Sequence, residues 1–373
     1  MDRSEKLLLV FAVGVMLAYF IMATPVMMDD GEHYEGFTES LARGVVDFES
    51  FYGFQGLSIL SVFIFWLTGS HISIIITSTI LYLLSLPLAY FIGRDFYANK
   101  RAGIYFMLLV ILMPYVYTTM LRGFQEAALL FFVLLTIYGA INKKPWTPIS
   151  WAYGGIVKPF SLVLFPLFSK DLFILRFNLN IWAVNMVIAL TIGGLYLGVS
   201  YYQTGHLINN AAINSYEGSF DPGNPPPLGE SFILDWKGFA RVGANLLLHY
   251  RKILLSPLAV IIGVLVLWRD KNFRLRKEII LAILLNIVLV GSLTFSFSKY
   301  LLPMIVLLAL ASISYLLKYR WLIFLVIIDS YFIFAPLWNY YQTTFWNNRL
   351  IYYLPLYLSV FIILFLWKEK ASS

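Results

Sequence analysis

Apolar residues fall in long runs that recur from one end of the chain to the other. Each run is long enough to cross the roughly 30 Å hydrocarbon core of a bilayer. The runs place membrane helices at about 7–27, 71–93, 102–121, 124–142, 180–202, 252–268, 278–296, 300–317, 321–338 and 350–367. Two further stretches are apolar without reading as single crossings. Residues 56–69 are too few to span untilted, so they read as a juxtamembrane or half-inserted helix. Residues 148–169 carry Lys158-Pro159 at their middle. Proline removes a backbone donor and breaks the turn, so this stretch reads as a hairpin that enters and returns. Broken backbone at membrane depth is tolerated only when buried in protein or lining a cavity.

Polar positions fix the orientation. Short loops rich in Lys and Arg belong on the cytoplasmic side. Those loops are Arg3/Lys6, Arg94/Lys100/Arg101, Lys143/Lys144, Lys170/Arg176, Arg269 to Lys277, Lys318/Arg320 and Lys368/Lys370. Putting all of them on one side requires both readings just given, a half-inserted 56–69 and a returning 148–169. About 12 membrane segments result, with both termini cytoplasmic. The expected class is all-α, a polytopic helical bundle with juxtamembrane helices in the first external loop. It divides into a catalytic transmembrane module over 1–202 with its external loop at 28–70, a long external loop over 203–251, and C-terminal helices over 252–373. No soluble C-terminal domain is expected, and the first apolar run reads as a retained helix rather than a signal peptide.

Composition narrows the function. Hydrophobic residues make up 60% of the chain and charged ones 13%, too few to cover a soluble surface. The net charge of +7 comes from residues in short loops, which has a membrane explanation and does not indicate nucleic acid. Zero cysteines exclude disulfides, thiolate metal sites and thiol nucleophiles. The four histidines are scattered, with no zinc spacing, and no Walker A sequence supports ATP-driven transport.

Candidate chemistry lies on the outer side. The loop at about 28–70 holds Asp29, Asp30, Glu32, Glu35, Glu39, Asp47 and Glu49 against Arg43. The second loop ends in a stretch carrying His249, Arg251 and Lys252. Arg122, Lys158 and Lys299 sit at membrane edges, where an ionisable residue is a functional candidate. Acids above the membrane facing cations at its boundary suit a substrate with an apolar tail and a phosphate at the headgroup level. Cations would hold the phosphate and an acid would deprotonate an attacking hydroxyl. That chemistry is glycosyl transfer from a lipid-phosphate sugar. Plainer roles exist for the same residues: Asp30 as a helix cap, Glu126 as a neutraliser of Arg122 four residues earlier, Lys158 as a snorkelling lysine, and Lys299 as a span boundary. Asp329, inside a span, fits pairing with a buried polar group better than catalysis.

The segment Asp29-Asp30-Gly31-Glu32-His33-Tyr34-Glu35-Gly36-Phe37 resembles the first external loop of GT-C superfamily glycosyltransferases, in particular the protein O-mannosyltransferase and aminoarabinose transferase branch. Gly31 departs from the pattern, which often has a second acid there. Gly93-Arg94-Asp95-Phe96-Tyr97 resembles a turn after the second span, and Leu121 to Glu126 resembles the short second external loop. Gly155-Ile156-Val157-Lys158-Pro159 resembles the family's broken span, and Lys299-Tyr300-Leu301-Leu302-Pro303 the start of a late one, with Lys in place of Arg. The resemblance implies inverting transfer of one sugar from a polyprenyl- or dolichyl-phosphate carrier to a glycan, lipid or protein acceptor. Asp30 would be the base, with Asp29 beside it as the alternative and Glu126 at the place of a further acid. Arg122, Lys158 and Lys299 would bind phosphate, and Glu32, His33, Tyr34, His249, Arg251 and Tyr300 would line the substrate site. No resident metal or cofactor is required, although carboxylates would suit Mg or Mn. The setting would be a plasma or endoplasmic-reticulum-type membrane, with the site external or lumenal. A transporter of lipid-linked sugars and a pyrophosphate-donor polymerase or ligase are the competing classes.

Overall fold

The computed structural model describes residues 10, 14, 30–51, 53–113, 116, 119–173, 179–205, 255–291 and 298–338. All regular structure among them is helical, with no strand. The chain is all-α, as the apolar pattern predicts. All but residues 10 and 14 of the expected span at 7–27, the whole of that at 350–367 and most of the 203–251 loop lie outside the described residues.

The first external loop folds into two helices, α1 (Asp30–Ala42) and α2 (Gly56–Thr68). α2 buries Leu57, Ser58, Ser61 and Val62 and leaves Phe63, Trp66 and Leu67 exposed, the one-sided apolar helix expected at 56–69. The linker between α1 and α2 is fastened to α8 (Leu179–Thr204). Tyr196 Oη accepts from Gln55 N–H and donates to Gly53 O, while the Gln203 amide bonds Phe48 N–H and Val46 O. Phe37, Phe48 and Tyr196 bury their rings together beneath it.

α3 (Ser73–Tyr97) is the long pillar of the bundle, rising about 37 Å at ~1.5 Å per residue. Its Thr77, Thr79 and Ser85 hydroxyls donate to carbonyls four residues back, which satisfies polar groups inside an apolar helix. Gly93 does not form a turn; it lies within α3, where a Cβ would meet the Ala102 carbonyl at 2.5 Å. The missing side chain lets α4 (Lys100–Ile111) pack tightly against α3, and the turn comes later, at Ala98 with φ 50°. α4 is shorter than the apolar run that predicts it. It stops before Pro114, because the residue preceding a proline disfavours helical backbone.

α5 (Glu126–Ile141) returns, and α6 (Thr147–Val157) follows it. At Lys158 the backbone is extended, as the following proline demands. The chain then reverses through a 3-10 helix, Pro159–Leu164, into α7 (Pro166–Phe173). Trp151 of α6 donates its indole N–H to Leu162 O and packs against Phe165 and Phe168, so the returning strand of chain runs back along α6. The broken hairpin predicted at Lys158-Pro159 is therefore a feature of the fold.

α9 (Pro257–Arg269), α10 (Arg276–Gly291), a 3-10 turn at Ser298–Leu301, α11 (Leu302–Lys318) and α12 (Trp321–Trp338) complete the described residues. The basic connections meet at one end of the bundle. The Arg274 guanidinium donates to Asp95 O, Phe96 O and Ile141 O, which are the exposed carbonyl ends of α3 and α5. Lys170 of α7 pairs with Glu278 of α10 at the same end. Among the described residues, two helices are long and apolar enough to cross a membrane, Ser73–Tyr97 and Ile181–Thr204.

Asp329, unexplained by the apolar pattern, sits within α12 and caps α9. Its Oδ2 accepts from Ser256 Oγ at 2.5 Å and Leu258 N–H at 3.3 Å. Asp329→Ala leaves those buried donors without this acceptor, which costs about 1–3 kcal/mol. Thermal denaturation in detergent should show a lowered midpoint for Asp329→Ala; an unshifted midpoint would mean that this cap contributes nothing.

Candidate functional site

The site is built at the end of the bundle opposite the basic connections, beginning with α1. Glu35 and Glu39 lie one turn apart on this helix and so share a face. That face lies against the N-terminus of α3. The buried Glu35 carboxylate accepts from Ser73 Oγ at 2.6 Å and Ile74 N–H at 2.8 Å, using one oxygen for each. A helix N-terminus presents unpaired N–H groups and the positive end of its dipole, so an acid is well placed there. Burial nevertheless holds the Glu35 carboxyl above its usual range, outweighing the hydrogen bonds from Ser73 and Ile74 that pull it down. Further along, Glu39 Oε1 contacts His71 Nδ1 at 2.5 Å, and Arg43 Nη2 reaches Glu39 Oε2 at 3.5 Å. Two of the first loop's acids thus clasp α1 to the start of α3.

The clasp brings the first residues of α1 against the short turn that precedes α5. Gly123 in that turn has φ +81°, a left-handed conformation that favours glycine. A Cβ there would stand 3.0 Å from Gly31 Cα and 3.1 Å from Ile74 Cγ2. Three segments therefore meet at Gly123: the start of α1, the start of α3, and the turn itself. The Gln125 side chain ties the same turn to Phe54 O, and Ser78 Oγ donates to Phe124 O at 3.5 Å. Arg122 sits half-exposed beside Gly123.

One step along the chain, Glu126 opens α5 and is wholly buried. It accepts from Lys158 Nζ at 2.6 Å, with the two side chains 1% and 11% exposed. Lys158 is the residue at which the α6 hairpin breaks. Its ammonium lies 6.0 Å from the centroid of the Tyr300 ring, and Phe160 stacks on that ring at 4.4 Å. Asn286 of α10 donates to Tyr300 O at 3.2 Å and fixes the 3-10 turn that leads into α11. Glu126 therefore pairs with Lys158, 32 residues away in the sequence. An acid and a base buried together at a helix break are costly to desolvate, and each partner offsets the other's cost.

Four of the residues singled out by sequence converge here with described side chains: Arg122, Glu126, Lys158 and Tyr300. Asp30 opens α1 one residue before Gly31, and Lys299 precedes Tyr300 in the 3-10 turn; both are described by their backbone. His33 is half-buried with its ring 5.1 Å from Phe51, Tyr34 belongs to the apolar core, and Glu32 is exposed. Asp29, His249 and Arg251 lie outside the described residues. The sequence pattern counts Glu35 only among the acids of the first loop and assigns no role to it, to Gln125 or to Asn286. The Glu35-x-x-x-Glu39 spacing was the available signal for the first of these. Among the described residues, no group of three His, Asp or Glu side chains is placed to hold a metal ion. The chain matches no protein-family model, and no curated protein is recognisably similar to it.

The exposed point of the clasp is pH-dependent. The hydrogen bond that His71 makes to the Glu39 carboxylate raises the His71 pKa above its ordinary value, helped by the Glu39 and Glu35 charges and opposed by burial and by Arg43. A raised imidazole pKa gives a contribution fully present below the unfolded-state pKa of about 6.5 and lost as pH rises through the folded-state value. Amide protection of residues 70–74, corrected for intrinsic exchange, should fall as pH rises from about 6 to 8. Glu39→Gln should flatten that dependence; an unaltered dependence in the variant would assign it to another group.

Proposed function

We propose that the protein is an integral membrane glycosyltransferase of GT-C type. It transfers a sugar from a polyprenyl- or dolichyl-phosphate carrier to an acceptor hydroxyl, with inversion, at the external or lumenal face. About 12 membrane segments, with cytoplasmic termini, complete the proposed architecture. The observation that carries the reading is the meeting at one end of the bundle of four separate segments: the acidic helix α1, the Arg122–Gly123 turn, the Glu126–Lys158 pair and the Tyr300 turn.

In the proposed reaction Asp30 accepts the proton of the acceptor hydroxyl, and Asp29 is the neighbouring alternative. The hydroxyl oxygen bonds to the anomeric carbon from the face opposite the leaving group, which inverts that centre. The bond from the anomeric carbon to the phosphate oxygen breaks, and the lipid phosphate leaves with the electron pair. Arg122, Lys158 and Lys299 would stabilise the charge that develops on this phosphate. Lysine supplies a point charge rather than a planar fork, so orientation of the phosphate would fall mostly to Arg122. Glu126 would keep the Lys158 ammonium at the helix break, where the leaving group departs. The N-termini of α3, α5 and α11 gather at this end and add positive partial charge. A divalent ion is optional in this scheme, since the donor is a monophosphate.

The buried pair at a broken helix also suits transport of a lipid-linked sugar, in which polar groups at a helix break guide the cargo. The two readings predict different products. Purified protein in liposomes, given a labelled polyprenyl-phosphate sugar and a range of acceptors, should yield a covalent glycoside detectable by mass spectrometry. Asp30→Asn should reduce that yield by about 10²–10⁴-fold while leaving the folded amount unchanged. Undiminished transfer by the variant would remove Asp30 as the base, and flux without a covalent product would favour transport.

A further inference from the structure

We infer that Glu35 is a positioning residue: it fixes the N-terminal end of α1 against the Arg122–Gly123 turn and thereby sets where Asp30 stands. The catalytic part of this inference rests on the transfer reading above, whereas the geometric part does not. Glu35 lies five residues after Asp30 in the same helix, about 7.5 Å along its axis. A short rigid helix transmits any displacement at Glu35 to its first residue. The Glu35 carboxylate is 3% exposed, and each oxygen holds a different group of α3, Ser73 Oγ at 2.6 Å and Ile74 N–H at 2.8 Å.

Ile74 connects this clamp to the site. Its amide is bound by Glu35 while its Cγ2 abuts Gly123, and Gly31 Cα abuts the same glycine from the other side. Glu35 thus joins two of the three segments that meet at Gly123, and the third carries Arg122. Losing the clamp would leave α1 held by Thr38 Oγ1 to Ser58 O, by Glu39 to His71 and by the packing of Tyr34 and Phe37. The polar tie between the first turns of α1 and the start of α3 would be gone, and the end bearing Asp30 would be held less tightly. A carboxylate whose only role were to cap α3 would affect the folded yield and the unfolding midpoint. It would not alter turnover per folded molecule. A positioning residue alters turnover without altering the grip on the donor's phosphate, because Arg122, Lys158 and Lys299 stand on other segments.

The natural absence of cysteine permits a clean test. Nitroxide labels at Glu32→Cys and Lys100→Cys, both at exposed positions, span the length of α3 and report the tilt of α1. The full chain in detergent or nanodiscs should give one narrow distance distribution. Glu35→Gln keeps the size of the side chain but cannot accept from both Ser73 and Ile74, so it should broaden or displace the distribution. Ser73→Ala removes one hydroxyl from the partner side and should act in the same direction; it serves if Glu35→Gln fails to fold. In unlabelled protein each substitution should lower kcat by on the order of tenfold to a hundredfold with donor KM unchanged. The Glu35→Gln/Ser73→Ala pair should lose less than the product of the single losses. An unmoved distance distribution overturns the clamp whatever the activity. A displaced distribution with unchanged kcat overturns the positioning role. A displaced distribution in a protein whose parent form transfers no sugar leaves the clamp standing and removes the transfer reading instead.

Discussion

A buried carboxylate and a buried ammonium can persist in an apolar bundle only if each finds the other, and Glu126 and Lys158 do so at 2.6 Å. That requirement dictates much of the surrounding architecture. Lys158 must stand where its backbone leaves α6, because Pro159 forbids the helix from continuing. Glu126 must stand at the first turn of α5, where the helix dipole favours an acid. Bringing the two together folds the 3-10 return beside the start of α11 and places Phe160 on the Tyr300 ring. A helix break that would otherwise be a defect becomes the junction of three elements.

The same economy of polar groups governs the first external loop. Its acids are not equivalent members of a negative patch. Glu35 and Glu39 are committed to the N-terminus of α3, and Asp47 is held below its usual range by its hydrogen bonds to Ser50. Glu32 remains exposed, and Asp30 opens the helix beside Gly31, whose backbone touches the Gly123 turn. Glu35 and Glu39 therefore hold the helix that carries Asp30, the proposed base. At the far end of the bundle, the Arg274 contacts to three carbonyls perform the complementary task of closing the C-terminal ends of α3 and α5.

What could be read from the sequence was whatever depends on short range. Proline at 159 announced the hairpin, and the apolar runs announced the helices. Arg122 and Lys158 were recognisable because a charge at a span edge is unusual, and Glu126 and Tyr300 through short stretches that resemble GT-C motifs. Long-range partners were not legible. The sequence offered Arg122 as a neighbour for Glu126 and gave no sign that Lys158 packs against it from 32 residues away. Asp329 finds Ser256 across 73 residues, and Glu35 finds Ser73 across 38, through packing that no local pattern encodes. Gly93 looked like a turn residue, but it serves close contact of two helices. Span lengths were overestimated for a related reason. An apolar run continues through a break that ends the helix, so α4, which lies in a run read as a span over 102–121, has 12 residues and falls short of the roughly 20 needed for a crossing.

The most direct test of this account is a double-mutant cycle on the pair. Glu126→Gln, Lys158→Met and the combined variant would be compared with the parent by reversible unfolding in detergent. Each single substitution takes away the buried counter-charge of the other side chain and should cost about 3–5 kcal/mol, while the combined substitution should cost far less than their sum. Single costs that are small and simply add would mean that the two side chains do not depend on each other, and the junction described above would lose its foundation.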